Sequence, residues 1–448
     1  MMPSVVEAAR RIRAGERTSE QLTKECLDAI ESANGALNAF VHLDPEGALA
    51  AARAVDVAVR SGRAQELGPL AGVPFGVKDL EDCAGMPTTR GSRWFAGGPP
   101  KQADSIHVAR LRAAGAIPIG KTATPEFGAW AYTASPLLGV TRNPWDLSRT
   151  PGGSIRTPAA FTGLVGLRAT YGRIPTYGDT HLAQNAVVGV VTTTVADTAL
   201  LLDVTAGPDG RDRTCLPAPP VRYAEALSRV NVGALRVAWS SDLGFAVLDA
   251  EVAALCEQAS VALVQACGAK LVSPPIQFSD FTRTYSLIEC VDRFVGIDPM
   301  LWETRLDELD PLIAPGWTSL SKKTLPEAAV VEAARRELVT QVAGLFDEVD
   351  LLVTPMASVL PFDAAGPMPT EIGGVVVHQG MSVVLSFLAS LANLPAISIP
   401  AGLSATGLPV GIQVIGPRFR EDLVLAAAAR LEAARPWPRH APSTATAG

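Results

Sequence analysis

The stretch RTPGGSIRTPAAFTGLVGL, residues 149–167, places Ser154 behind two glycines and in front of Arg156. Gly152 and Gly153 allow the backbone to approach a bound molecule closely, and they can direct backbone N–H groups toward a developing negative charge. A serine in this position is either a turn or helix N-cap residue, or an exposed nucleophile. The apolar run FTGLVGL that ends the stretch is typical of a buried strand. The stretch therefore predicts a glycine turn that leads into the core and carries a serine.

A second segment, GVPFGVKD at residues 72–79, places Lys78 at the end of another apolar run. A lysine is seldom buried without a partner, so Lys78 either forms an ion pair with Asp79 or Asp82 or serves as a desolvated base. Its apolar neighbours in the run favour desolvation. Lys78 and Ser154 together are the parts of a serine hydrolase that needs no histidine.

The rest of the chain alternates strand patterns with helix patterns. Short apolar runs separated by Gly and Pro dominate residues 69–180, and residues 270–325 show no regular pattern. Apolar periodicity predicts helices within 4–60 and over 104–114, 192–206, 249–267, 326–348, 381–392 and 420–434, and strands over 235–239, 350–354, 396–400 and 410–415. Alternation of this kind predicts an α/β fold around a mostly parallel or mixed sheet. Because no Pro-rich or Ser-rich linker divides the chain, we expect one large domain.

Composition narrows the class of protein. The chain has 448 residues, of which 48% are hydrophobic and 19% charged, and its net charge is −7. No basic patch favours nucleic-acid binding, and the apolar runs are too short to span a membrane. The N-terminus lacks the pattern of a secretory signal, and the six cysteines contain no C-x-x-C pair. We expect a soluble cytoplasmic protein with free thiols, without nucleic-acid or membrane partners.

Two other motifs do not support alternative chemistries. GAIPIGKT, residues 115–122, matches the P-loop spacing, but its middle residues are strand-like and Pro125 follows closely, so we expect a strand. None of the histidines lies in an H-E-x-x-H motif, and no G-x-S-x-G elbow occurs, although catalytic triads are spatial rather than sequential. The histidines are therefore expected to be surface or structural residues: His42, His107, His181, His378 and His440.

The serine and lysine segments together resemble the amidase signature family. The resemblance extends over most of the chain through these segments: TATPEFG at 122–128, GVTRNPWDLSRTPGG at 139–153, ATYGRIP at 169–175, DLLVTP at 350–355 and NLPAISIPAGLSATGLPVGIQVIGP at 393–417. It implies a single α/β domain with a large mixed, mostly parallel sheet covered by helices. Within residues 1–448 the implied parts are N-terminal helices at 1–60, a signature core at 69–206, a variable substrate-pocket region at 210–330 and the C-terminal part of the core at 331–434.

The resemblance also implies a reaction. Ser154 would attack an amide carbonyl and form an acyl-enzyme, with Lys78 as the base. Backbone groups at Gly152 and Gly153 would stabilise the oxyanion, and Arg156 would support the loop. The substrate would be a small-molecule amide, which is converted to a carboxylic acid and ammonia or an amine. No metal or organic cofactor is implied, and a homodimer is possible.

The chain departs from the family pattern at Ser154 itself. The family has two glycine–serine segments separated by a helix and a strand, and its catalytic unit is Ser–Ser–Lys with a bridging serine. Here RTPGGS runs directly into IRTPAA, so Ser154 would have to fill both serine positions. We expect the fold to lack one helix–strand segment near residue 154 and to expose apolar surface there. The relay would lack its middle member unless Ser148 or Thr150 replaces it, and Pro151 has no N–H to donate.

Two alternatives to an active amidase remain open at this point. The chain could be a catalytically inactive deletion variant that binds an amide or a protein partner without turnover. It could instead be the glutamine-hydrolysing subunit of a tRNA-dependent amidotransferase, which belongs to the same family and needs partner subunits.

Overall fold

The computed structural model describes residues 2–177, 185–294 and 297–442 of the chain. Its α-helices are α1 (Val5–Arg13), α2 (Ser19–Leu37), α3 (Pro45–Arg60), α4 (Ile106–Ala113), α5 (Arg156–Thr162), α6 (Val195–Thr205), α7 (Tyr223–Arg229), α8 (Ala250–Cys267), α9 (Thr282–Phe294), α10 (Pro299–Thr304), α11 (Ala314–Leu320), α12 (Leu325–Glu348), α13 (Phe387–Leu391) and α14 (Glu421–Ala434). Across the described ranges, no helix has the length and apolar character needed to cross a bilayer.

The strands are β1 (Phe40–Leu43), β2 (Pro74–Lys78), β3 (Ile117–Thr122), β4 (Ala134–Ser135), β5 (Gly139–Val140), β6 (Val165–Arg168), β7 (Gly189–Thr192), β8 (Arg236–Trp239), β9 (Lys270–Val272), β10 (Leu351–Pro355), β11 (Glu371–Ile372), β12 (Val375–Val376), β13 (Ala396–Leu403) and β14 (Pro409–Ile415). Seven of them form the main sheet in the order β7-β6-β13-β14-β10-β8-β9. The ladders from β7 to β10 are antiparallel, and those joining β10, β8 and β9 are parallel.

The main sheet is buried between two layers of helices. Helices α6, α8 and α14 pack on one face, where they meet Val353 and Ile397. Helices α5, α12 and α13 pack on the other face, where they meet Leu352 and Ala396. Neighbouring strand residues therefore face opposite layers, as the two-residue period of a strand requires. This arrangement confirms the predicted α/β domain with a mixed sheet covered by helices.

A separate three-stranded sheet has the order β1-β3-β2. Strand β3 pairs in parallel with β2 and antiparallel with β1. Strand β2, which ends at Lys78, lies at one edge of this sheet, and β7 lies at one edge of the main sheet. The other edge strands of these two sheets are β1 and β9.

Local signals explain where the long helices begin and end. Thr18 and Gln21 form the predicted capping box at the start of α2. The Asp249 side chain accepts hydrogen bonds from the N–H groups of Glu251 and Val252, and Gly268 closes α8 in a left-handed conformation. These signals are local in sequence, which is why the predictions for these helices are confirmed.

Three predictions of secondary structure were wrong. The N-terminal region is interrupted by β1, a four-residue strand that exists because it pairs with β3 far along the chain. Residues 270–325 contain α9, α10 and α11. Trp302 of α10 and Trp317 of α11 pack into an aromatic cluster that local periodicity does not display. The helix expected over 381–392 begins as a 3₁₀ helix, Gln379–Ser386, before α13. The domain boundaries drawn from the resemblance stay predictions.

Candidate active site

Lys78 reaches the loop that carries Ser154. Its Nζ donates a hydrogen bond of 2.8 Å to the carbonyl oxygen of Gly153. The two acids considered as partners for Lys78 contact other lysines: Asp79 lies 3.5 Å from Lys121, and Asp82 lies 3.4 Å from Lys101. The end of β2 therefore places an amine beside the peptide group that joins Gly153 to Ser154.

The two glycines before Ser154 are required by the shape of the loop. Gly152 has φ of 97°, and a Cβ atom there would lie 2.7 Å from the backbone nitrogen of Pro158. A Cβ atom at Gly153 would lie 2.1 Å from the carbonyl oxygen of Trp130. Any side chain at either position would collide with backbone, so the loop needs glycine twice.

The loop offers two backbone donors in succession. The N–H of Gly152 already donates to Thr150 Oγ1 at 3.1 Å, which removes it as a donor to a substrate. The N–H groups of Gly153 and Ser154 have no acceptor within the described residues. Consecutive free N–H groups of this kind suit a negatively charged oxygen. The Gly152 N–H is thus already engaged, contrary to its expected role as an oxyanion donor, whereas the N–H groups of Gly153 and Ser154 remain available.

Ser154 is exposed and lies two residues before the first residue of α5. Its hydroxyl forms no hydrogen bond with any residue that the structure describes. The substitutes considered for a relay are engaged elsewhere: Ser148 Oγ donates to Asp146 at 2.7 Å, and Thr150 Oγ1 accepts from Gly152. Neither hydroxyl bridges Ser154 and Lys78, so the suggestion that one of them completes the relay was wrong for this conformation.

Arg156 supports the loop from inside the core. Its buried guanidinium donates to Gln413 Oε1 and to the carbonyl oxygen of Ser386, both at 2.8 Å, and to Ser390 Oγ at 3.2 Å. Burial, with a smaller contribution from nearby Arg168, lowers the pKa of Arg156 to about 9. The guanidinium ties the start of α5 to β14 and to the helical segment before α13.

The candidate residues line one large space, which we call the cleft. Its volume is about 1420 Å³, and Lys78, Gly152, Gly153, Ser154 and Arg156 all border it. The edge strands β2 and β7 border it too, along with apolar side chains from several elements: Leu70, Val73, Leu111, Leu164 and Leu201. The cleft therefore runs from the serine loop along the edge strands β2 and β7.

Lys121, the lysine of the P-loop-like motif, is a structural residue that the sequence did not single out. It is fully buried on β3, where its Nζ donates to the carbonyl oxygen of Glu81 at 2.6 Å and to Thr88 Oγ1 at 2.8 Å. Burial lowers its pKa, and the carboxylate of Asp79 opposes that change. The strand predicted for GAIPIGKT is confirmed, and its lysine holds the turn that follows Lys78.

The structure also describes most of the cysteines and histidines considered in the sequence analysis. Described cysteines are free thiols: Cys26, Cys83, Cys215, Cys256 and Cys267. His378 contacts Asp280 at 2.8 Å, whereas His181 lies outside the described residues. Over the described ranges, no three His, Cys, Asp or Glu side chains are close enough together to hold a metal ion.

The family model described as Amidase matches this chain in two stretches, residues 21–154 and 152–425. The two stretches overlap at residues 152–154, so the same Gly-Gly-Ser is matched by both. Together they cover most of the chain, and their junction lies at the serine of the candidate site.

Individual relatives and structures agree with the family match. The acylamidase of Rhodococcus erythropolis is 32% identical over 470 aligned positions, which cover 98% of this chain and 97% of that protein. A glutamyl-tRNA(Gln) amidotransferase subunit of Chloroflexus aggregans is 33% identical, and the match covers 99% of each chain. The crystal structure of a bacterial aryl acylamidase has the same fold, with a TM-score of 0.90 at 23% identity over 97% of both chains.

These findings confirm the predicted fold and the predicted class of reaction, which is hydrolysis of a carbon–nitrogen amide bond. The chain belongs to the amidase family.

Proposed function

We propose that Ser154 is the nucleophile of this amidase and that Lys78 is its base. The observation that carries the proposal is the 2.8 Å contact between Lys78 Nζ and the carbonyl oxygen of Gly153. It brings the only lysine of the β2 strand to the residue before an exposed serine, at the border of a cleft large enough for a small-molecule amide. Nucleophile and base are thus close together without a histidine.

The proposed reaction has two steps. Ser154 Oγ forms a bond to the amide carbonyl carbon while its proton passes toward Lys78, and the N–H groups of Gly153 and Ser154 donate to the oxyanion. The carbon–nitrogen bond then breaks, and the nitrogen takes that proton and leaves as ammonia or an amine. Water adds to the acyl-enzyme ester, the carboxylic acid leaves, and Ser154 recovers its proton. No cofactor takes part.

A second candidate function is binding without turnover, as a catalytically inactive deletion variant. The overlap of the two family matches at residues 152–154 supports it, because both matches use the same Gly-Gly-Ser. The position of the Ser154 hydroxyl supports it as well, since no described side chain bridges it to Lys78. Loss of one oxyanion donor costs roughly 10²–10³ in rate, and loss of a relay member adds to that cost.

A third candidate is a glutamine-hydrolysing subunit of an amidotransferase. Its support is the 33% identity to the Chloroflexus aggregans protein, which is similar to the 32% identity to the acylamidase. A subunit of this kind needs partner chains, so affinity purification from the native source would recover them in fixed stoichiometry. A free amidase would be recovered alone or as a homodimer.

Covalent labelling tests the proposed nucleophile. We would treat the chain with a fluorophosphonate and measure the intact mass of the wild type, Ser154→Ala and Ser148→Ala. We expect one added phosphonyl group on the wild type and on Ser148→Ala, the matched control in the same loop, and none on Ser154→Ala. Labelling that persists in Ser154→Ala would overturn the assignment of the nucleophile.

The same assay separates the first two candidates. A folded, monodisperse wild type that takes up no label would support the inactive variant. Lys78→Met should slow labelling by about 10²-fold or more if the lysine acts as a base. Equal rates in wild type and Lys78→Met would remove Lys78 from the mechanism.

Further properties are part of the proposal. We place the protein in the cytoplasm as a homodimer or monomer that acts on small molecules, without nucleic-acid or membrane partners. Light scattering of the purified chain measures the oligomeric state directly.

A further inference from the structure

A carboxylate and an imidazole border the cleft one turn beyond Lys78. Glu81 follows the end of β2, and its backbone N–H donates to the carbonyl oxygen of Lys78 at 2.9 Å. His107 lies in the first turn of α4. Both residues line the cleft, yet their side chains are only 12% and 9% exposed. The pair therefore faces the same space as Ser154 from a largely desolvated wall.

The two side chains lie close together without bonding to each other. His107 Nε2 is 3.8 Å from Glu81 Oε2, which is too far for a hydrogen bond. The other ring nitrogen, Nδ1, lies 3.4 Å from Ser105 Oγ. Glu81 Oε2 is buried and has no hydrogen-bond partner in the described part of the chain. A buried acceptor without a donor is uncommon and costly in a folded protein.

Above pH 7 the pair offers two acceptors to one gap: the Glu81 carboxylate and, in the tautomer whose Nδ1–H points to Ser105 Oγ, His107 Nε2. Burial lowers the pKa of His107 to about 4, so the imidazole is neutral at neutral pH. Burial raises the pKa of Glu81 to about 7, while the positive charges of Lys121, Lys78 and Arg90 and the negative charge of Asp82 act on it more weakly. Lys121 directs its amine to the Glu81 carbonyl oxygen rather than to the carboxylate.

We propose that Glu81 and His107 form a subsite for the primary amine of a ligand that enters the cleft. An alkylamine carries several N–H donors on one small atom, so it can donate to the carboxylate and to the imidazole together. Its alkyl chain would lie along the apolar walls formed by residues such as Val77, Val108 and Leu111. A hydroxyl has one donor, and a carboxylate has none, so neither replaces the amine.

Amides that carry a terminal primary amine are the class of substrate that such a subsite would select. An amide whose acyl or leaving portion ends in a primary amine could place that amine at Glu81 and its carbonyl at Ser154, because both residues border the same cleft. This extension rests on the proposed amidase function. Binding of an amine does not, since it requires neither Ser154 nor turnover.

Calorimetric titration of the full chain at pH 8 tests the subsite. The probe is n-butylammonium chloride, with n-butanol as the neutral analogue of the same length. We expect the wild type to bind the amine at least tenfold more tightly than the alcohol, and Glu81→Gln to lose at least tenfold in affinity for the amine. Glu289→Gln is the matched control, because Glu289 also borders the cleft but accepts a hydrogen bond from Asn185. Its affinity should stay within twofold.

A measurement on the wild type covers the case in which Glu81→Gln does not fold. The chain has five histidines, so the ring signals of histidine-labelled protein can be followed individually by NMR during the same titration. We expect the amine to shift the His107 signals first. Absence of binding, equal affinity for the alcohol, an unchanged affinity in Glu81→Gln, or shifts at His378 instead would overturn the proposal. Loss of labelling at Ser154 with intact amine binding would overturn only the amidase mechanism.

Discussion

The seven-stranded sheet and the three-stranded sheet are held together by different kinds of interaction. In the main sheet, strands such as β10, β13 and β14 are buried on both faces by apolar side chains of packed helices. At the β2 edge of the three-stranded sheet, the chain that follows Lys78 is held by buried polar contacts, chiefly Asp79 with Thr89 and Lys121 with Glu81 and Thr88. The main sheet is stabilised by the burial of apolar surface, and the segment after Lys78 by a few directional polar contacts.

The difference explains why the candidate site lies where it does. Apolar packing tolerates many arrangements of similar volume, whereas a buried charge is stable only when its partners are in place. Lys121 donates a hydrogen bond to the turn at Glu81, and Glu81 in turn bonds to the backbone of Lys78. These contacts fix the position of Lys78 at the end of β2. The β2 edge of this sheet also borders the cleft. The polar contacts therefore position a cleft wall that apolar packing does not cover.

The largest effect is expected from lengthening the loop that carries Ser154. We would insert after Ser154 a helix–strand segment ending in Gly-Gly-Ser, built on the family pattern of two glycine–serine stretches. The insert should supply a second serine and an additional N–H donor, so fluorophosphonate labelling should accelerate by about 10²-fold or more. Intact-mass time courses at equal protein concentration measure the rate.

A Gly/Ser insert of the same length is the control for loop length alone. It should leave the labelling rate within about threefold of the parent chain, because it restores neither the serine pair nor the strand. If both inserts fold and neither raises the rate, the single Gly-Gly-Ser is not what limits this site.

Removal of the buried Lys121 amine should have the next largest effect, a loss in the free energy of unfolding. Lys121→Met leaves the carboxylate of Asp79 buried without the lysine, and breaking a buried ion pair in this way costs roughly 3–5 kcal/mol. Lys101→Met is the matched control, because the Lys101–Asp82 pair is about one-third exposed and should cost under about 1 kcal/mol. Urea unfolding of the three proteins gives the values. Equal losses would mean that the polar contacts do not hold this edge.

The core of the main sheet was predictable from the sequence, and much of the site was not. The apolar runs that became β10, β13 and β14 carry a local pattern that stays valid in the fold. The glycine requirement at 152 and 153 was also visible, because it belongs to the loop itself. These features depend on residues that are near one another in the chain.

The site contacts that were missed depend on residues far apart. Lys121 and Glu81 are 40 residues apart in the sequence, and Arg156 and Gln413 are 257 residues apart. No local sequence pattern therefore predicts either contact. A lysine in an otherwise strand-like motif was the available signal for Lys121. His107 gave no signal, because a lone histidine in a short helix pattern does not show whether its side chain is buried or exposed.

Truncations in the core of the main sheet and on the cleft wall should differ in their cost to stability. Leu352→Ala on β10 removes a fully buried side chain from the centre of the main sheet and should cost about 2–5 kcal/mol. Val191→Ala on β7, which borders the cleft and is 41% exposed, should change the free energy of unfolding by under about 0.5 kcal/mol. A cost above about 2 kcal/mol at Val191 in urea unfolding would show that the cleft wall is packed in solution.

The smallest effect concerns the pH dependence contributed by Glu81. Burial raises the pKa of this carboxyl from 4.5 to about 7, so the folded protein binds a proton that the unfolded chain releases between those values. The free energy of unfolding should therefore fall as the pH rises from about 5 to 8, by roughly 3 kcal/mol at most. His107 acts in the opposite direction, since its lowered pKa makes stability fall as the pH drops from 6.5 toward 4.

Glu81→Gln removes only the first effect, so urea unfolding at pH 5 and pH 8 should show a smaller loss than in the wild type. Glu289→Gln should follow the wild type, and parallel losses in all three proteins would mean that Glu81 stays ionised in the folded state because solvent reaches it from the cleft.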